Sequence, residues 1–163
     1  MLSGTTDSEP TGLSPALDAA IATALEVWAE DERQHWLPVV GDSMMPLMRE
    51  GDAVLVAHGE GRLHRGTIVV FRKGDRLLAH RVLRTTHGAG GRALTTKGDN
   101  RLGFDAPVLA GDVVGHVVSI QRGARKIRID TPGWQVTGWC IAVASLALAR
   151  PLHWGRAVKR RLG

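Results

Sequence analysis

Between about residues 36 and 130 the chain is a succession of short aliphatic runs broken by glycine-bearing turns, and this rhythm limits its fold more than any other feature. The runs centre on Val39, Val54, Val69, His80, Leu94, Val117 and Ile127. The breaks are Gly-Asp pairs, Gly59-Glu60-Gly61 and Gly88-Ala89-Gly90-Gly91. Runs of strand length at such spacing predict a mainly β fold, a compact antiparallel β sandwich or barrel. Lys73-Gly74-Asp75 reads as a hairpin turn between two of the strands. In Arg125-Lys126-Ile127-Arg128-Ile129-Asp130 the alternation predicts a half-buried last strand with a basic, solvated outer face. There are no internal repeats.

Length and composition bound the function. At 163 residues the chain holds one domain with a real core. Five basic residues, Arg150, Arg156, Lys159, Arg160 and Arg161, lie in the last fourteen positions with no acid among them. Setting them aside leaves sixteen basic residues against sixteen acids, so the net charge of +5 belongs to the tail and the body is neutral. No nucleic-acid partner is expected from so local an excess. Cys140 is the only cysteine, which excludes an internal disulfide. No closely spaced His/Cys set is present, and neither a metal nor another cofactor is expected.

One turn carries chemistry. Leu37-Pro38-Val39-Val40 runs into Gly41-Asp42-Ser43-Met44-Met45-Pro46, with Gly51-Asp52 soon after. This sets a hydroxyl at a strand end, on backbone shaped by glycine and proline. A serine so placed is a nucleophile only if a base lies within hydrogen-bond reach. His80, inside Leu77-Leu78-Ala79-His80-Arg81-Val82-Leu83, supplies the imidazole suited to that task. Lys97-Gly98-Asp99-Asn100 and Phe104-Asp105-Ala106-Pro107 follow, and either Asp99 or Asp105 could orient the ring. Gly111-Asp112-Val113-Val114-Gly115 opens a further strand.

The order of these motifs over residues 36 to 122 resembles the type I signal peptidase family, in its endoplasmic-reticulum and archaeal-like branch. The common bacterial branch has lysine where this chain has His80. The resemblance implies a fold of signal-peptidase type and a serine endopeptidase that cleaves signal or leader peptides after small residues. It makes Ser43 the nucleophile, His80 the general base and Asp105 the third member. Asp99, Met44, Pro46 and Gly41 take supporting places. Some relatives have a serine where this chain has Gly41, so a second oxyanion donor must come from backbone or elsewhere. The partners implied are precursors bearing signal or leader peptides, together with membrane lipid. Two rivals are a cytoplasmic self-cleaving or leader-processing relative and a catalytically silent peptide-binding module of the same fold.

The ends complete the organisation. Residues 1–13 read as a disordered arm, without a signal peptide. Residues 14–34 read as an amphipathic helix, capped by Ser14-Pro15 and striped by Leu17, Ile21, Leu25 and Trp28. Its acids exclude a membrane span, and it does not replace the N-terminal anchor typical of bacterial relatives. Residues 36–130 form the β-rich peptidase domain. Residues 131–163 form an apolar C-terminal helix with a basic tail. No charge occurs from Thr131 to Ala149; Trp134 and Trp139 sit near one end of this stretch and Trp154 lies beyond the other. That pattern fits a membrane or interfacial helix, although Gln135, Thr137, Gly138 and Ser145 dilute it. The expected location is therefore membrane-associated with the domain's side open, and cytoplasmic as the alternative.

Overall fold

The computed structural model describes residues 34–59, 63–88 and 91–159, with backbone alone from residue 148. The expected arm over 1–13 and the amphipathic helix over 14–34 lie outside the described residues, except Gln34, which opens the first strand. The side chains of the basic tail lie outside them as well.

Among the described residues eight strands form one antiparallel sheet: β1 (Gln34–Pro38), β2 (Ala53–His58), β3 (Ile68–Lys73), β4 (Arg76–Gly88), β5 (Gly91–Lys97), β6 (Val108–Leu109), β7 (Val113–Arg122) and β8 (Arg125–Arg128). Their order is β1-β2-β7-β3-β4-β5-β6, with β8 paired to β7. β7 is the hub: β2 runs along one edge, and β3 and then β8 share the other. Lys73-Gly74-Asp75 makes the β3–β4 hairpin, as its sequence predicts.

The sheet is not closed, which corrects the expected sandwich or barrel. Among the described residues no ladder joins β1 to β6. Both edges are short, five residues in β1 and two in β6, and leave little backbone to pair across. Two apolar clusters form the core. One gathers Met44, Met48, Val54, Val56, Ile68 and Ile120. The other gathers Leu63, Val69, Phe71, Val82, Leu94 and Val108. His80 through Leu83 are all buried, so both faces of β4 are covered there, and a register shift follows between Val82 and Arg84.

A single long helix, α1 (Pro132–Lys159), ends the described chain. Pro132 is its first residue, where a missing N–H costs no helical bond. The inner side packs on β4. No helix among the described residues is long and apolar enough to cross a membrane. This corrects the spanning reading of residues 131–149. The polar dilution noted in the sequence, at Gln135, Thr137, Gly138 and Ser145, accounts for the shortfall.

Candidate active site

Ser43 lies on the loop between β1 and β2. The stem of that loop is closed by Val39 N–H donating to the Asp52 carbonyl at 2.8 Å and Gly51 N–H to the Val39 carbonyl at 3.3 Å. Gly41 turns the chain with a φ of 82°, a region that suits glycine. Met44, 3% exposed, plugs the loop into the core, and a cis peptide joins Met45 to Pro46. Asp52 holds the far end: its buried carboxylate takes both guanidinium arms of Arg122, at 2.8 and 2.6 Å, and the Arg49 N–H at 2.9 Å. The Arg122 hydrogen bonds, against the cost of burial, set the Asp52 carboxyl below its ordinary pKa.

His80 sits in β4 opposite Val69, 6% exposed, its ring edge-on to Phe71 with centroids 6.0 Å apart. Its Nε2 is 3.2 Å from Ser43 Oγ, and its Nδ1 is 2.6 Å from Asp105 Oδ2. Serine, histidine and aspartate thus form one hydrogen-bonded line. Thr96 Oγ1 donates to the same Asp105 oxygen at 2.8 Å, and the Asp105 N–H is tied to the Thr96 carbonyl at 2.9 Å. Burial pushes the Asp105 carboxyl up, but the hydrogen bonds from His80 and Thr96 outweigh it and leave the pKa lowered. Asp105 is therefore held as the anion that an imidazolium beside it needs.

Asp99 is engaged elsewhere. Arg81, 3% exposed, donates through Nε to its Oδ1 at 2.8 Å and through Nη2 to its Oδ2 at 2.6 Å. His80 and Arg81 are neighbours in a strand, so their side chains leave on opposite faces. One reaches Ser43 and the other fixes the Lys97–Arg101 loop. That loop is laced to the serine loop by the Asn100 N–H on the Ser43 carbonyl at 2.8 Å. Further ties are the Asp99 N–H on Met44 Sδ at 3.4 Å and Arg101 Nη2 on Asp42 Oδ1 at 2.9 Å. Gly98 lies where they meet. A Cβ there would stand 2.7 Å from the Ser43 carbonyl oxygen and 3.1 Å from His80 Nε2, so only glycine fits without displacing the pair.

Sequence reasoning missed Thr96, Arg81 and Gly98 as contributors. Arg81 and Gly98 stood inside quoted motifs without a role, whereas Thr96 resembles any strand threonine until its hydroxyl is seen on Asp105. Ser43 and His80 line a cleft of about 780 Å³ walled by Val40, Leu78, Leu102 and Phe104. Among the described residues no group of three or more His, Cys, Asp or Glu could hold a metal ion.

Comparison with known proteins agrees with the motifs. The chain belongs to the Peptidase S24-like family, whose model matches residues 10–96, and its type I signal-peptidase-like character stands with it. The matched span includes Ser43 and His80 and ends before Asp99 and Asp105. The chain is also 34% identical over 76 residues to the signal peptidase complex catalytic subunit sec11 of Penicillium rubens. That match covers 45% of this chain and 43% of the relative, so the chain spans less than half the length of the protein it resembles.

Proposed function

We propose that this protein is a serine endopeptidase that removes signal or leader peptides from precursor proteins after small residues. The observation that carries the reading is the line Ser43 Oγ–His80 Nε2–Asp105, with contacts of 3.2 and 2.6 Å, at the wall of an open cleft. His80 Nε2 takes the Ser43 proton as Oγ attacks the scissile carbonyl carbon. The negative oxygen is met by backbone N–H groups of the serine turn, each worth about 3 kcal/mol in comparable hydrolases. His80 then passes the proton to the departing amine, and the C–N bond breaks. Water, deprotonated by His80, hydrolyses the ester and frees Ser43. Asp105 holds the ring and balances its charge. Asp99 supports the site through Arg81. Signal peptides as substrates follow from the sec11 likeness.

In this reading the protein meets lipid at the interface, through the outer side of α1, where Val136 is 63% and Trp139 50% exposed. The test is cleavage of precursors bearing small residues at the processing site, with products identified by mass, beside Ser43→Ala and His80→Ala. Cleavage by the parent and by neither variant is expected. A parent that is folded and inert toward all of them, or cleavage that survives in Ser43→Ala, rejects the assignment.

A further inference from the structure

We propose that helix α1 is a positioning element of the site, acting on the serine loop through Gly138, Gly66, Arg81 and Asp99. The helix reaches the sheet by backbone-to-backbone contact. A Cβ on Gly138 would stand 2.6 Å from the Gly66 carbonyl oxygen and 3.0 Å from Arg81 Nη1. A Cβ on Gly66 would stand 2.5 Å from the Trp139 nitrogen. Two facing glycines therefore allow an approach that no other residue pair permits.

The point of contact is also a hydrogen-bond acceptor. The Gly66 carbonyl accepts Arg81 Nη1 at 2.8 Å, in the bond buried beneath the helix. The other two guanidinium nitrogens, Nε and Nη2, donate to Asp99 at 2.8 and 2.6 Å. Asp99 is continuous with Asn100, whose N–H donates to the Ser43 carbonyl, and with Gly98, where an added Cβ would collide with that oxygen. A guanidinium is a rigid planar fork, so a shift of one arm moves the others with it. Displacing α1 by a single methyl at Gly138 strikes the Gly66–Arg81 bond and tilts the fork. The Asn100 N–H that holds the Ser43 carbonyl then loosens. What binds or shifts α1 thereby sets how well Ser43 is presented to His80.

The kinetic side of this inference rests on the proposed peptidase reading, and the structural side does not. The decisive variant is Gly138→Ala in the full chain, with Val136→Ala on the outer side of the helix as control. Alanine favours helix over glycine, so a residue with no docking role would gain stability. Amide hydrogen exchange at Asn100, read by NMR, is expected to quicken at least tenfold in Gly138→Ala and to stay within twofold of the parent in Val136→Ala. With a cleavable precursor, kcat is expected to fall at least tenfold while KM stays within twofold. Asn100 exchange within twofold of the parent in Gly138→Ala overturns the coupling, whatever happens to activity. Should Gly138→Ala not fold, Arg81→Lys, which keeps the charge and loses the fork, is held to the same exchange criterion. An inert parent with quickened exchange in the variant would reject the peptidase reading and leave the coupling standing. An active parent with unchanged exchange and kcat in the variant would do the reverse.

Discussion

Asp105 Oδ2 is shared between His80 at 2.6 Å and Thr96 at 2.8 Å, and that sharing decides how firmly the imidazole is aimed. Thr96→Val keeps the volume and the β-branch while removing the donor. A neutral hydrogen bond contributes about 1 kcal/mol, and one to a charged group somewhat more. In a working peptidase kcat is therefore expected to fall about 5- to 20-fold with KM unchanged, as steady-state kinetics would read it. An unchanged kcat would reduce Thr96 to packing. This residue also shows where sequence reading stops. Ser43 and His80 stand out because a hydroxyl in a Gly/Pro turn and a strand histidine occur in a recognisable order. Asp99 and Asp105 both follow the Lys97-Gly98 turn, and the residues alone leave them as alternatives. The structure separates them by a fact no local pattern holds: Arg81 takes both oxygens of Asp99. Thr96 has no such pattern at all, because its role depends on how the loop after β5 folds back to set Asp105 beside it.

At the scale of elements, the serine loop is braced from below by the Asp52–Arg122 ion pair. Asp52 receives Arg122 through both arms, and Arg122 also donates to the Leu47 carbonyl at 3.0 Å, so β7 clamps both ends of the turn that follows Ser43. Asp52→Asn leaves the cluster one charge short. Arg122 is partly open to water, so the cost should fall short of a fully buried pair's, at about 1–3 kcal/mol by urea denaturation at neutral pH. A loss under about 0.5 kcal/mol, the range of an ordinary surface change, would mean that the loop does not need the clamp. Helix α1 carries a second prediction at this scale. If its outer side lies at a lipid interface, Trp139→Ala should weaken sedimentation of the folded protein with anionic vesicles severalfold. Equal binding by parent and variant would discard the interfacial reading. The elements themselves were largely legible. Val54, Val69, His80, Leu94, Val117 and Ile127 all fall inside strands. Val39 falls just past β1, because the chain is already leaving the ladder toward Gly41. The two-residue β6 left no periodic trace, being too short to alternate. The openness of the sheet was not legible either, since strand spacing does not reveal whether edges meet.

For the molecule as a whole, the sheet gathers ionisable groups that favour folding at neutral pH, and they fail at different pH values. His58 Nε2 lies 3.1 Å from His35 Nδ1 across the β1–β2 ladder. Burial, together with repulsion from His35, pushes the His58 pKa below its ordinary 6.5. As pH falls through that value the unfolded chain takes up this proton before the folded one does, so stability begins to drop there. Asp52 and Asp105 have folded pKa values below the ordinary 3.8. Their contribution is complete well above 3.8 and is lost as pH falls through their lowered folded values. Stability against urea should therefore descend in two stages, a shallow one below about pH 6.5 and a steeper one below about pH 4. His58→Gln should remove the shallow stage and spare the steep one. Asp52→Asn should do the opposite, lowering stability at pH 7 and flattening the acid descent. A single descent confined to the region below pH 4 in the parent would show that the histidine pair carries no pH-dependent stability. A shallow stage that persists in His58→Gln would place its origin in another group.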